Sequence, residues 1–493
     1  MAEPQSVRWR ADEEVVPTAE VEQSQPQQFD VVVIGGGPAG YAAALHGGLA
    51  GLSIAVVEME KVGGTCLHRG CIPAKEFLET ATVFRTVAGA KEFGIRTEPP
   101  VVEFAQSQAR KQKIVEQLWK GLQGLMKRRK VTTFAGVGSL GSGRVVTVDD
   151  GIGGTTQIQG THVILASGSV PRTIPGFDVD GKVVMTSDEI LDLERLPGSA
   201  AVIGGGAIGC EFASMLSDLG ARVTILEALP KILPGCDKDV TDVVLRSFKK
   251  RGIDVRTGVK VSGHTPAADG GSTTVSFGEG EQLEVDSVVV SVGRRPLSDH
   301  LGLEGTGVKV DERGFVAVDE HMRTGEPGVF AAGDLVATPA LAHVGFAEGV
   351  LIIDQILGDQ VVPVDYGKVP WCIYCHPEVA FAGLSEEAAR EAGYDVVSKK
   401  DPYGGNGRAL IVGEPEGIVK VICEKLPDGK AGRILGVHMV GPWVTEQLGQ
   451  GYLAVNWEAT PDEVGHYIQP HPTLSEAFGE TVLALTGRGL HVG

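Results

Sequence analysis

Short apolar runs followed by Gly-rich turns and Ala-rich helical stretches punctuate this chain. Phe29 to Ile34 (FDVVVI) form one such run, too continuous for a strand with one wet face and therefore expected as a buried parallel strand. Gly35-Gly36-Gly37-Pro38-Ala39-Gly40 follows at once and opens a helical stretch, giving strand, turn, helix. The arrangement recurs at Ala201 to Ile203, Gly204-Gly205-Gly206-Ala207-Ile208-Gly209, and a helix expected through about Leu219. In each copy a carboxylate, Glu58 or Glu227, ends the second strand at the same offset from the first glycine, close to the roughly 20 residues expected for a ribose-binding acid. Two dinucleotide sites are implied. In each, Gly35 or Gly204 makes the turn, Gly37 or Gly206 admits the pyrophosphate, and Gly40 or Gly209 lets helix meet strand.

Between the copies, Val131 to Val148 and Thr161 to Ala166 read as sheet segments that carry the chain out of the first unit. Gly293-Arg294-Arg295-Pro296 and the run Val329 to Asp334 bring it back. From about Pro363 onward, strands at Gly417 to Glu424 and Ile434 to Val440 and a helix at Thr445 to Ala454 form a separate α/β unit without a phosphate loop. Residues 1–28, rich in Glu, Gln, Ser and Pro, read as a disordered tail.

Composition narrows the partners. Lys plus Arg is 44 against 63 Asp plus Glu, a net charge of -19, so the overall field repels nucleic acid and anionic membranes. No apolar run reaches the roughly 18 residues of a span, and the N-terminus lacks a signal-peptide pattern, so a cytoplasmic protein is expected. Seven cysteines among 493 residues are too few for a secreted disulfide framework.

Cys66 and Cys71 lie in GGTCLHRGCIPAK. Their spacing is not a zinc-site spacing and no second ligand pair matches it, so a redox pair is expected and no metal. A following helix N-terminus would favour a thiolate. Lys75, four residues beyond Cys71, projects from the same helical face, and Glu211 is a candidate ion-pair partner for it. Cys372 and Cys375, in the strand-like VPWCIYC, are expected to point to opposite faces and stay unpaired. Cys210, Cys236 and Cys423 read as packing residues. His471 sits between prolines in QPHPTLSE, with Glu476 placed to hold one ring nitrogen, the arrangement of a general base. Glu227 with no arginine directly after it favours NAD over NADP, although Lys231 or Arg222 could still reach a phosphate.

Taken together, these residues resemble the pyridine nucleotide-disulfide oxidoreductases from Phe29 to about Thr486. GGTCLHRGCIPAK is similar to the family's redox motif, GVFAAGDL to the segment whose Asp334 binds the FAD ribityl chain, Ala340-Leu341-Ala342-His343 to its flavin-contacting partner, and QPHPTLSE to its base motif. Five positions depart from the commoner pattern: His68 and Arg69 between the cysteines, Ala74, Ser167 and Cys375. The resemblance implies an α/β fold with two Rossmann-like domains, for FAD and NAD, and a C-terminal α/β dimerisation domain. The corresponding boundaries are 29–178 for the first part of the FAD domain, 179–302 for the NAD domain, 303–360 for the returning part, and 361–493 for the interface domain. It places Lys75, Gly136 and Gly168 near FAD, and Val261 and Gly293 near NAD. It further implies a homodimer in which His471 and Glu476 complete the other subunit's site. The implied activity is oxidation of a dihydrolipoyl dithiol with NAD+ as acceptor, in a 2-oxoacid dehydrogenase or glycine cleavage complex that includes an acyltransferase subunit. A mycothiol- or glutathione-type reductase and a non-catalytic docking subunit remain as alternatives.

Overall fold

The computed structural model describes residues 25–268 and 270–491. The expected tail falls largely outside them. Where the two overlap the structure differs, because β1 (Gln27–Ile34) already pairs Gln27 and Gln28 with Ile158 and Gln159.

The first sheet contains β1, β2 (Ile54–Glu58), β3 (Thr132–Ala135), β4 (Val137–Leu140), β5 (Val145–Asp149) and β6 (Thr155–Leu165), ordered β3-β2-β1-β6-β5-β4. Its centre is parallel, and β5 and β4 add an antiparallel edge. Alternate side chains leave a strand on opposite faces. Val31, Val33, Ile54, Val56 and Ile164 pack with Ala39, Ala43 and Ala44 of helix α1 (Pro38–Leu49). Val32, Ile34, Ala55, Val57, Val163 and Leu165 pack on the other side. Both faces are covered, which explains the continuous apolar run, and each fully buried aliphatic side chain contributes roughly 1.5–3 kcal/mol.

The reading of Thr161 to Ala166 as an exit segment needs correction. These residues are the end of β6, hydrogen-bonded directly beside β1 at the centre of the sheet; an apolar run alone does not separate a central strand from a connecting one. The chain leaves through β7 (Ser169–Pro171).

The second sheet contains β8 (Val184–Met185), β9 (Ser199–Ile203), β10 (Arg222–Glu227), β11 (Asp254–Thr257) and β15 (Ser287–Val290), ordered β11-β10-β9-β15-β8. An antiparallel meander, β12 (Val261–Pro266), β13 (Thr273–Phe277) and β14 (Glu281–Val285), is inserted before β15. Its two faces sort the same way: Ala200, Val202, Val223, Ile225 and Val289 on one, Ala201, Ile203, Leu226, Val288 and Val290 on the other. The chain returns through β16 (Arg294–Pro296), antiparallel to β7, and β17 (Val329–Ala331), which joins the first sheet parallel to β6. The third sheet is antiparallel: β18 (Trp371–Ile373), β19 (Glu378–Gly383), β20 (Val396–Pro402), β21 (Ile418–Lys425) and β22 (Ala431–Gly441), ordered β18-β19-β22-β21-β20.

The helices after α1 are α2 (Gly64–Arg69), α3 (Cys71–Gly89), α4 (Phe104–Arg128), α5 (Ala207–Asp218), α6 (Lys238–Lys250) and α7 (Ala342–Leu357). With the third sheet go α8 (Glu386–Glu391), α9 (Gly407–Ile411), α10 (Val444–Asn456), α11 (Pro461–Val464) and α12 (Glu476–Leu485). Among the described residues no helix is long and apolar enough to cross a membrane.

The glycines of the second turn carry different loads, and substitution separates them. A Cβ at Gly209 would lie 2.0 Å from the Gly204 carbonyl oxygen, whereas one at Gly206 would meet nothing within 4 Å. Gly209→Ala is therefore expected to destabilise the fold by about 1–3 kcal/mol. Gly206→Ala should leave stability within about 0.5 kcal/mol while weakening dinucleotide binding. Urea unfolding midpoints and NAD titrations of the two variants check this.

Candidate active site

The two glycine turns are built alike. Gly35 and Gly204 hold φ of +105° and +107°, a backbone region open to glycine. Gly36 N–H and Glu60 N–H donate to the two carboxylate oxygens of Glu58 at 2.7 and 2.9 Å. Gly205 N–H and Leu229 N–H donate to Glu227 in the same way at 2.5 and 2.6 Å. A carboxylate has about four acceptor sites, so each acid retains capacity for ribose hydroxyls. Gly40 and Gly209 approach the turn carbonyls too closely for any side chain. Space beside Gly37, as beside Gly206, is open to 4 Å. Each is a cradle at a helix N-terminus that a Cβ would fill, and both fit a dinucleotide pyrophosphate.

Other expected nucleotide-contacting positions cluster around these turns. Gly136 N–H donates to the Glu58 carbonyl at 3.0 Å, and Val259 N–H to the Glu227 carbonyl at 3.0 Å, with Val261 starting the strand that follows. Gly168 and Gly293, with φ of +75° and +102°, flank the β7–β16 crossing. Asp334 lies in a short turn after β17 and accepts the Ser169 hydroxyl at 2.5 Å. Ala340 and Leu341 lead into α7, which begins at Ala342, and His343 bonds the Pro370 carbonyl at 2.8 Å. Lys231 pairs with Glu387 at 2.9 Å, and Arg222 sits at the opposite end of β10 from Glu227. Neither cation is joined to Glu227.

The segment between the cysteines is not a simple turn. Cys66 lies inside α2, Gly70 breaks the helix, and Cys71 occupies the first position of α3. Gly64 reaches the first cradle: a Cβ there would lie 2.6 Å from Gly37 Cα. Donation to Cys71, together with burial, pushes Cys66 well up. The hydrogen bond received from Cys66 lowers Cys71 to about 7, aided by the Lys75 charge against the cost of burial. A helix N-terminus adds to this preference for a thiolate at Cys71.

Lys75 meets Glu211 at 2.9 and 3.0 Å, as expected, and lies over the Tyr374 ring at 4.9 Å. Burial opposes the Lys75 charge, yet the Glu211 carboxylate holds its pKa above the ordinary value. Glu211 also accepts Tyr374 N–H at 2.8 Å. Arg69 pairs with Glu60 at 2.5 Å and with Asp188 at 3.7 Å.

His471 Nδ1–H donates to Glu476 Oε1 at 2.7 Å, and Thr473 N–H donates to the second carboxylate oxygen at 2.7 Å. The imidazole is 78% exposed. Its Nε2 has no partner among the described residues, and no hydrogen bond or ion pair joins it to the cysteine segment of its own chain. The structure thus gathers Cys66, Cys71, Lys75 and Glu211 in one place and His471 with Glu476 in another. Cys372 and Cys375 are unpaired. The strand ends at Ile373, so Cys375 lies past it rather than within it, and is buried. Cys210 and Cys423 are fully buried and Cys236 half-buried, all as free thiols.

Sequence reasoning missed several neighbours. Tyr41 is close enough to feel the thiol charges, which add to the burial that pushes its hydroxyl up to about 12. Arg294 donates to the Ser169 hydroxyl and carbonyl, each at 2.7 Å, beside Asp334. The Gly-Arg-Arg-Pro motif marked this segment without indicating what it binds.

Comparison with known proteins agrees with this geometry. Residues 29–349 match the pyridine nucleotide-disulphide oxidoreductase family and residues 369–482 its dimerisation domain. A dihydrolipoyl dehydrogenase of Bacillus subtilis is 41% identical over 94% of this chain and 99% of its own; one from Rhizobium etli is 39% identical with the same coverage. The crystal structure of LpdA from Mycobacterium tuberculosis superposes with a TM-score of 0.87 at 25% identity, covering 93% of this chain and 99% of that one. The HOCl-induced flavoprotein disulfide reductase RclA from Escherichia coli, as its Cu(II) complex, gives 0.83 at 25% identity with the same coverage. Two matched dinucleotide cradles, a polarised cysteine pair between them and a dimerisation domain carrying a histidine–glutamate pair place this chain in the pyridine nucleotide-disulphide oxidoreductase family.

Proposed function

We propose that this chain oxidises dihydrolipoyl groups to the cyclic disulfide with NAD+ as acceptor, the activity after which its curated relatives are named. The observation that carries the reading is the placement of Cys66 and Cys71 on either side of the Gly70 break, in a segment whose Gly64 packs on Gly37 of the first cradle and whose Lys75 is held by Glu211. Gly35, Gly37, Gly40, Glu58, Gly136, Gly168 and Asp334 would hold FAD, with Lys75 and residues 340–343 about its ring. Gly204, Gly206, Gly209, Glu227, Val261 and Gly293 would hold NAD, with Glu211 steering Lys75. In domain terms, 29–178 and 303–360 serve FAD, 179–302 NAD, and 361–493 the dimer interface. FAD, when bound, supplies a two-electron acceptor for the cysteines and a hydride donor for NAD+.

The protein's own groups handle protons and sulfur. In the oxidised enzyme Cys66 and Cys71 form a disulfide. Held by Glu476 through Nδ1, His471 of the partner subunit takes a proton from one substrate thiol at Nε2. The resulting thiolate attacks Cys66 Sγ, forming a mixed disulfide and breaking the Cys66–Cys71 bond, so that Cys71 leaves as a thiolate. The second substrate thiol displaces Cys66 and closes the lipoyl ring. Of the two substrate protons, Cys66 retains one and His471 the other, matching the upward and downward shifts of the two cysteines. The net charge of -19 supports docking of a basic segment of a 2-oxoacid dehydrogenase acyltransferase, and the scarcity of cysteine supports a reducing, cytoplasmic setting.

Four measurements check these roles. Cys66→Ser and Cys71→Ser should each abolish dihydrolipoamide-dependent NADH formation while retaining NADH-driven reduction of an artificial dye. Loss of both activities with FAD still bound would refute the division of labour. His471→Gln should lower lipoamide turnover by about 10²–10⁴-fold. Co-refolding equal amounts of Cys66→Ser and His471→Gln chains should restore about a quarter of wild-type activity through hybrid dimers with one intact site; no recovery would show that His471 serves its own chain. In the reduced enzyme the Cys71 thiolate is present above about pH 7 and is lost as pH falls through that value. Lys75→Met removes a charge that lowers this pKa and should move the titration up. Glu211→Gln removes one that raises it and should move the titration down, as read by ultraviolet thiolate absorbance.

A further inference from the structure

Glu348 has no exposed surface, yet it is a carboxylate in the middle of a helix, and none of the roles above uses it. Its two oxygens are occupied by donors from different elements. Gly333 N–H donates to Oε2 at 2.6 Å, and the Tyr366 hydroxyl donates to Oε1 at 2.9 Å. No cation pairs with it among the described residues. Burial, the largest influence, raises its pKa, the donated hydrogen bonds oppose that, and the nearby Asp334 charge adds to the rise. A buried, unpaired carboxylate costs stability unless its hydrogen bonds are well made, so its location asks for a reason.

The reason lies in what those bonds hold. Gly333 directly precedes Asp334, and its φ of +70° places it against Ala39: a Cβ there would lie 3.2 Å from Ala39 Cβ. Glu348 is flanked on its helix by Gly345 and Gly349, which bring α7 onto the same residue. A Cβ at Gly349 would lie 2.4 Å from the Ala39 carbonyl oxygen, and one at Gly345 3.3 Å from Ala39 N. Ala39 belongs to the first Gly-rich turn. One carboxylate therefore fixes the Asp334 turn against the start of α1, while Ser169, itself held by Arg294, fixes the Asp334 side chain.

We propose that Glu348 is a positioning residue for FAD: by gripping Gly333 N–H it sets Asp334 at the ribityl end in register with the pyrophosphate cradle. The inference rests on the assignment of FAD to the first cradle. Glutamate suits the position because its two oxygens accept from two donors, whereas a glutamine amide would present a donor to one of them.

The test measures FAD release from the holoenzyme by the rise in free-flavin fluorescence, for wild type, Glu348→Gln, Asp334→Asn and the double variant. Glu348→Gln is expected to release FAD about tenfold faster. The double variant should release it no faster than Asp334→Asn alone, because the first residue acts through the second. Release from Glu348→Gln at the wild-type rate, or rates that multiply in the double variant, would overturn the proposal. Should Glu348→Gln not fold, Tyr366→Phe takes its place in the same cycle, with a smaller acceleration and the same non-additivity. Wild-type protein that retains no FAD would instead refute the assignment of the cradle, so the two failures are distinguishable.

Discussion

The Glu211 carboxylate is the point at which three parts of the molecule meet. It lies on α5, the helix of the second glycine turn; it accepts both bonds from Lys75 on α3, the redox helix; and it accepts Tyr374 N–H from the segment after β18. A buried carboxylate that lost Lys75 would keep only the Tyr374 N–H and stand as an uncompensated charge, which destabilises the fold. The relative placement of the two nucleotide units and the C-terminal unit is thus tied to the same contact that sets the charge near the thiols. Structure and chemistry cannot vary independently there.

That contact also fixes the sign of the local field. Lys75 lowers Cys71, while Glu211 raises it, and the net result, led by the Cys66 hydrogen bond, leaves Cys71 near neutrality at about 7. A lysine without its acid would act on the thiol unopposed and lower it further. With the pair in place, Cys71 is the more acidic of the two thiols and Cys66 the less acidic.

What the sequence disclosed follows from how local each feature is. The strand, turn and acid of each nucleotide unit were legible because φ, close backbone approach and period-two burial act within about 25 residues. Lys75 and Glu211 could be paired in advance because each sat next to a recognisable motif. Thr161 to Ala166 was misplaced because its apolar run fits any buried strand, and only its pairing with β1 identifies it as central. Cys66 lies in a six-residue helix, α2, that the Gly-rich stretch around it hides. Glu348, Arg294 and Tyr41 acquire their roles from contacts between distant segments and carry no local signature.

The two glycine turns start from the same hydrogen bonds and differ in what covers them. At the first, Gly64 of α2 closes to within a few ångströms of Gly37, β17 returns beside β6, and Gly333, Gly345 and Gly349 seal Ala39. At the second, Leu233 N–H bonds the Gly205 carbonyl at 2.8 Å just as Gly63 N–H bonds the Gly36 carbonyl at 2.8 Å, and a Cβ at Gly205 would meet Ile232 at 2.7 Å. The same backbone bond therefore docks the chain after the second strand onto the turn in both copies. What differs is the element that this bond anchors: at the first copy it is α2, which carries Cys66, and at the second it is the loop that leads into α6. One repeated hydrogen bond thus places the redox segment beside one turn and leaves the other turn without chemistry of its own.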